Sequence, residues 1–340
     1  MAKKYLFYIS QNYSFGILRP IQEKLVARGD SAAWFIEGNE VDVSRFNDDE
    51  QVLKTVEQAV EYNAYAVFVP GNVVPDFIPG IKVQVFHGLE YKKKGHFAIR
   101  GFFDVYCTHG PITTNKFKEL NKKHRYFYVK ETGWPKLDPY FALKSSSEKR
   151  TNSEQMQVLY APTFSPSLTS APALLTQFKA LSADGNYKII VKFHPKMDKD
   201  WIAQYHAIAN ENLIISDDDN ILPLILSTDV LVSDTSSVVD EALLMGKRVI
   251  TFKNSQPQNA IIDICDPAEL SPALNQILDD EQLGKNIEQY ITQVHPYQDG
   301  DSASRVLDAV DDVANLGLKP KPLNLMRKFK LRKKLKYFKR

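Results

Sequence analysis

Two histidines and one run of hydroxyl residues stand where an α/β protein places its chemistry. His87 directly follows the apolar run Val83 to Phe86, and His194 ends the run Tyr187 to Phe193, with Pro195 and Lys196 behind it. Ser233, Asp234, Thr235, Ser236 and Ser237 lie between the apolar run Asp229 to Val232 and a helix-periodic run, Val238 to Met245, that Gly246 closes. A neutral imidazole in a cleft takes a proton from a hydroxyl near pH 7. A hydroxyl-rich turn at a helix start holds an anion through its amides and side chains. The chemistry these types suggest is activation of a hydroxyl beside a bound phosphate or diphosphate. Each feature also has a plain structural counterpart: a lone histidine is often a buried, hydrogen-bonded one, and such a turn is an ordinary helix cap. Five consecutive capping-type residues exceed what a cap needs. Glu241, five residues past Ser236, either reaches a ribose hydroxyl or faces solvent.

The elements that must position these residues read as alternating short strands and helices. In the N-terminal half, strands are expected at Tyr5 to Ser10, Ala32 to Ile36, Ala66 to Pro70, Val83 to Phe86, Asp104 to Thr108 and Tyr126 to Lys130. Helices are expected at Gly16 to Arg28, Glu50 to Tyr62 and Thr113 to Leu120. In the second half, strands are expected at Val158 to Ala161, Tyr187 to Phe193, Leu213 to Ile215, Asp229 to Val232 and Arg248 to Phe252, with helices at Ala173 to Ala183, Asn220 to Ser227 and Val238 to Met245. This alternation argues two α/β, Rossmann-like domains with parallel sheets, whose ligands bind outside the carboxyl ends of the strands. Facing each other across a cleft, they would bring His87, His194 and the Ser233 to Ser237 turn together. The polar run around 144–157 is the expected linker, giving domains over 1–143 and 158–317 and a tail over 318–340.

Further candidates follow from position. Gly88 and the basic stretch with Glu90, Lys92 and Lys93 come directly after His87 and suit either a phosphorylated acceptor or a solvated loop. Thr163 follows Pro162 at the end of the Val158 to Ala161 strand. Gly133, Trp134, Pro135 and Lys136 form a turn that either lines a cleft or simply joins domains. A divalent ion at Asp217, Asp218 and Asp219 is the weaker reading of a run that also serves as a helix start, and no metal or other cofactor is expected.

Composition narrows the class. The 340 residues are 44% hydrophobic and 25% charged, as in a globular protein with room for two cores. Cys107 and Cys265 are the two cysteines, so a reducing compartment is expected rather than a disulfide scaffold. No GxGxxG follows the first strand, which argues against a dinucleotide oxidoreductase. The start MAKKYLFYIS does not read as a signal peptide, and no run reaches the length of a spanning helix.

Charge is unevenly spread. Of 43 basic residues, ten fall in 321–340, where no acidic residue occurs; the remaining 33 face 41 acidic ones, so the rest of the chain carries a net charge of −8. Leu325, Met326, Phe329, Leu331, Leu335 and Phe338 are interleaved with those charges. The mixture suits an anionic membrane surface; a solvated or packed tail is the alternative, and a nucleic-acid partner is not expected.

Taken in order, FHGLEYKK, TGWPKLD, KFHPK, SDTSSVVDE and DGDSASR resemble the bacterial CDP-glycerol glycerophosphotransferases, the teichoic-acid type polymerases and primases. The resemblance implies a GT-B-like fold and transfer of glycerol phosphate or ribitol phosphate from a CDP-activated donor to a glycan or lipid-linked acceptor, releasing CMP; with the basic tail, a cytoplasmic protein peripheral on the inner face of the plasma membrane is expected. It implies His87 as the base, and His194 with Thr235, Ser236 and Ser237 on the donor's diphosphate. Glu241, Gly133, Pro135 and Lys136 match donor-side positions, and so do Asp299, Gly300, Ser302 and Arg305, with Arg305 a phosphate contact. Leu89 and Glu90 stand where the family has Thr, and Trp134 with Lys136 where it has Tyr and Arg. A GT-B glycosyltransferase or sugar-nucleotide epimerase, and a catalytically silent surface protein, are the other readings.

Overall fold

Short apolar strands alternating with helices produce two parallel sheets. The structure, a computed structural model, describes residues 2–89, 91, 94–146, 155–218 and 220–338. Glu90, Lys92, Lys93, Asp219, Lys339 and Arg340 therefore lie outside the described residues, as does most of the expected linker. The chain divides into two units: Met1–Ala142 with Val294–Arg340, and Leu143–Gln293.

The first unit holds β1 (Lys4–Ile9), β2 (Ser31–Ile36), β3 (Gln51–Leu53), β4 (Ala66–Val69), β5 (Ile81–Gln84), β6 (Val105–Thr108) and β7 (Tyr128–Glu131). They pair in the order β3-β2-β1-β4-β5-β6-β7, all parallel. Every residue of β4, β5 and β6 is buried. Strands covered on both faces have no solvent side to alternate with, so β4 reads as a continuous apolar run, while in β5 the buried Lys82 and Gln84 donate to backbone carbonyls of Gly80 and Gly71.

The second unit repeats the scheme with β8 (Met156–Tyr160), β9 (Tyr187–Val191), β10 (Leu213–Ile215), β11 (Val230–Ser233), β12 (Arg248–Phe252) and β13 (Ile262–Ile264). The order is β10-β9-β8-β11-β12-β13, again parallel. In both units the chain reverses direction of growth beside its first strand, so loops on either side of that strand leave the same edge of the sheet. That is the topological switch point where α/β proteins bind ligands.

Three expectations need correction. The segment expected as one helix, Glu50 to Tyr62, splits. Gln51–Leu53 becomes the edge strand β3 against Ala33–Phe35, and the helix is Val56–Glu61. Thr55 accepts from the Gln58 amide in a capping box that starts the helix late, and the unpaired side of β2 offers the preceding residues ladder bonds.

The second correction concerns residues 294–317, expected in the second domain; they belong to the first unit. The helix Ser302–Leu316 buries Ala303, Val306, Leu307, Val310 and Val313. Its acidic side and the turn before it pair with that unit: Asp301 with Lys24 (2.8 Å), Asp308 with Arg28 (2.8 Å), Asp311 with Lys3 (2.6 Å) and Asp312 with Lys130 (2.9 Å).

Third, the basic tail is no separate domain. The helix Leu325–Leu335 docks on the first unit, with Leu331 6% exposed inside its core cluster. Lys321 bonds Asp104 at 2.7 Å, Asn324 donates to the Arg100 carbonyl at 2.8 Å, and Tyr337 stacks on Phe77 with ring centres 4.5 Å apart.

Candidate active site

His87 is aimed by a turned backbone. Phe86 was expected inside a strand, but β5 ends at Gln84 and Phe86 takes φ of 56°, a conformation that bulky residues rarely adopt. Burial holds it there: the ring stacks on His96 at 4.7 Å and packs on Phe117 at 5.3 Å. Strain of this kind persists where surrounding packing over-determines it and marks sites of function. His87 itself is half-buried, with Nδ1 3.4 Å from the Pro70 carbonyl oxygen and its ring 5.5 Å from that of Tyr13. Gly88, beside it, is also half-buried.

The turn from Thr132 to Asp138 braces this loop from behind. The Trp134 indole donates to the Phe86 carbonyl at 3.4 Å, and the Trp134 amide donates to Nε2 of His295 at 2.8 Å. Gly133 sits at φ 79°, and a Cβ there would come within 2.4 Å of Ser302 Oγ, so glycine is required on both counts. Pro135 is buried, and Lys136 lies over the Trp134 ring at 5.1 Å. Asp138, also buried, accepts from the amides of Ser302 (3.0 Å) and Ala303 (2.7 Å), which would otherwise be unpaired at the start of their helix. Arg305 pairs with Asp299 and lies 4.2 Å over the Tyr297 ring. Two motifs distant in sequence thus form one support. Burial pushes His295 down to about 4, so at neutral pH its Nε2 accepts the Trp134 bond.

A cavity of about 470 Å³ opens in the first unit beside His87, where Tyr8, Glu37 and Asn72 also line it and the C-terminal helix contributes Leu331 and Lys334. Tyr8 donates to Glu37 Oε2 at 2.7 Å, and Lys334 pairs with the other oxygen. Sequence reasoning missed Tyr8, Tyr13 and Glu37. The one available signal was their position just after or at the end of β1 and β2.

The second unit gathers its own set. Thr163 follows β8, His194 and Lys196 follow β9, and Ser233 to Ser237 ends β11; β8 lies between the other two, so the three loops are neighbours on one sheet edge. His194 is exposed, stacks on Phe164 with ring centres 4.4 Å apart, and accepts from the Lys196 amide through Nδ1 at 3.0 Å. Partial burial, then the charges of Lys196 and Lys192, lower its pKa and favour the neutral ring.

The hydroxyl turn divides by depth. Ser233 is buried and donates to the Ala161 carbonyl at 2.6 Å. Asp234, also buried, turns inward: it accepts from the amides of Thr163 (2.9 Å) and Ser170 (2.9 Å) and from Ser170 Oγ (2.9 Å). It braces the loop that carries Thr163. Thr235 accepts from the Ser255 amide at 2.9 Å, Ser236 is half-buried and Ser237 exposed, so these three remain at the surface of the turn. Glu241 is 8% exposed, so the solvent-facing alternative does not hold.

Solved structures share this architecture. A putative UDP-N-acetylglucosamine 2-epimerase from Listeria monocytogenes superposes with a TM-score of 0.68 at 12% identity, over 95% of this chain and 100% of that one. The wall teichoic acid polymerase TagF with CDPG gives 0.63 at 14% identity, over 91% and 88%. An S. aureus MnaA–UDP complex gives 0.64 at 13%, over 94% and 99%. Identities this low establish the fold, two Rossmann-like units of the GT-B type, and leave the chemistry open. No curated protein sequence matches the chain. The distinction between transferase and epimerase comes from the segment that holds the Trp134 brace, the His194 loop, the hydroxyl turn and Arg305. Residues 102–312, well over half of the chain, match the family described as CDP-glycerol:poly(glycerophosphate) glycerophosphotransferase, and the protein belongs to that family.

Proposed function

We propose that the protein transfers glycerol phosphate or ribitol phosphate from a CDP-alditol to a hydroxyl of a cell-surface glycan or lipid-linked acceptor, releasing CMP. Family membership supports the reaction class. The observation that carries the assignment of roles is that Thr163, His194 and Thr235 to Ser237 leave three neighbouring parallel strands at one edge of the second sheet. In this reading His194, Lys196, Thr163 and the three outer hydroxyls hold the diphosphate, while Asp234 and Ser233 keep their loops in place.

The reaction is a displacement at the donor's β-phosphorus. The acceptor oxygen forms a bond to phosphorus, the bond from phosphorus to the CMP oxygen breaks, and the hydroxyl proton passes to His87. With Nδ1 donating to the Pro70 carbonyl, Nε2 is the basic nitrogen. Charge gathering on CMP is met by donors already in place. Gly133, Pro135 and Lys136 support the His87 loop, and Arg305 closes the turn beside them. No metal, other cofactor or nucleic acid enters this scheme.

The same reading places the protein in the cytoplasm, peripheral on the inner face of the plasma membrane. Among the described residues no helix is long and apolar enough to cross a membrane. The C-terminal helix buries Leu331 but leaves Leu325 at 69%, Met326 at 77% and Phe329 at 60% exposed, among basic residues with no acidic one from 321 onward. That combination fits an anionic lipid surface.

Calorimetry with CMP, CDP-glycerol and CDP-ribitol against UDP- and GDP-sugars tests the proposal, repeated on His194→Ala. Cytidine binding weakened by the substitution supports it. Preference for a uridine sugar would move the protein to the nucleotide-sugar reading that the epimerase-like fold also accommodates.

A further inference from the structure

The cavity beside His87 is built from residues outside the family-matched stretch 102–312, and its chemistry is distinctive. Tyr8 lies in β1 and Glu37 directly follows β2, Tyr13 comes from the turn after β1, and Leu331 and Lys334 from the C-terminal helix. Glu37 is 8% exposed; one oxygen accepts from Tyr8 and the other pairs with Lys334. A carboxylate accepts about four hydrogen bonds, so this one retains capacity for ligand hydroxyls. The pair with Lys334 cancels its charge, and most other polar lining groups are hydroxyls and amides, from Ser10, Ser14, Gln11 and Asn72. Tyr13, 42% exposed and beside the His87 ring, offers an aromatic face to C–H groups. A volume near 470 Å³ lies within the range of small-molecule sites.

We infer that this cavity binds the uncharged, polyhydroxylated end unit of the acceptor, a sugar or alditol, with Glu37 as a positioning residue and the C-terminal helix as part of the wall. The assignment rests on the proposed role of His87. Glu37 accepts from the bound unit's hydroxyls and so orients the one that His87 deprotonates. The helix that carries Lys334 into the cavity also carries the exposed apolar residues Leu325, Met326 and Phe329, so a lipid-linked end unit reaches the cavity at the same helix that meets the bilayer.

The test uses full-length protein with ¹³C-labelled histidine, the His87 signal being the one lost in His87→Gln. Ribitol, N-acetylglucosamine and, as an anion control, inorganic phosphate are titrated to 100 mM each. The expected result is a saturable shift of the His87 signal with ribitol or N-acetylglucosamine and none with phosphate, weakened at least tenfold in both Glu37→Gln, which keeps an acceptor for Tyr8, and Lys334→Ala, whose side chain is largely exposed. No shift with either polyol, a shift with phosphate alone, or full retention in both variants overturns the inference. CDP-glycerol binding is measured on the same samples. Polyol binding without cytidine binding would keep the cavity and sink the transferase reading, and cytidine binding without a polyol shift would do the reverse.

Discussion

Trp134 donates its indole N–H to the carbonyl oxygen of Phe86, 3.4 Å away, and so ties the turn at 132–138 to the residue that aims His87. Phe86 holds a left-handed backbone at φ 56°, and this bond is one of the contacts that keep it there. Trp134→Phe keeps the ring and removes the donor. A loss of about 1 kcal/mol in stability is expected, with kcat reduced about tenfold as His87 loses its aim and CDP-glycerol affinity unchanged. Steady-state CMP release and calorimetry check it; an unaltered kcat would show that the bond does not position His87.

Acid should loosen the same brace through His295. Its Nε2 accepts from the Trp134 amide, which only the unprotonated ring does, and burial holds its pKa near 4 against an ordinary 6.5. The folded value is depressed, so this stabilisation is complete above about pH 6.5 and is lost as pH falls toward 4. Between pH 7.5 and 5 the histidine accounts for about 2 kcal/mol. Urea unfolding at both values should show the wild type losing that much more than His295→Gln, which does not titrate. Equal losses in the two proteins would remove His295 as the cause.

The hydroxyl turn separates into two kinds of residue that a pair of variants distinguishes. Asp234→Ala leaves the amides of Thr163 and Ser170 without their acceptor and should cost about 2 kcal/mol or more, since buried donors lose their partners. Ser236→Ala should leave thermal stability within about 0.5 kcal/mol and weaken CDP-glycerol binding about tenfold or more, the worth of one hydrogen bond to a charged group. If the melting temperatures respond in the opposite order, the division of the turn by depth is wrong.

The outward face of the C-terminal helix gives a second separation of this kind. Leu325, Met326 and Phe329 are mostly exposed, so replacing all three by Asp should change stability little, while Leu331→Ala should cost about 2 to 4 kcal/mol. Co-sedimentation with vesicles of 30% phosphatidylglycerol should fall at least tenfold for the triple variant, and wild-type binding should drop as salt rises. Wild-type protein that stays in the supernatant at low salt would sink the membrane assignment.

Much of this organisation was legible in the chain. Val83 to Phe86, Tyr187 to Phe193 and Asp229 to Val232 are short runs rich in β-branched and aromatic residues, which announced strands, and the polar residues directly after them announced strand-end loops. Those are local properties, set by backbone periodicity and by residues a few positions apart. The ordered motifs carried the family for the same reason, since motif order is a property of sequence alone.

Tertiary contacts decided the rest. Gln51–Leu53 became a strand because the edge of β2 was unpaired, and residues 294–317 joined the first unit because their apolar face and acidic side found partners there. Asp234 and Thr235 are neighbours of similar type, yet one points into the protein to hold Thr163 and Ser170 while the other stays at the surface. The basic tail reads as amphipathic along its length, but only packing against the first unit selects Leu331 for the core and brings Lys334 to Glu37. Burial and pairing depend on groups dozens to hundreds of residues away, and no window on the chain contains both partners.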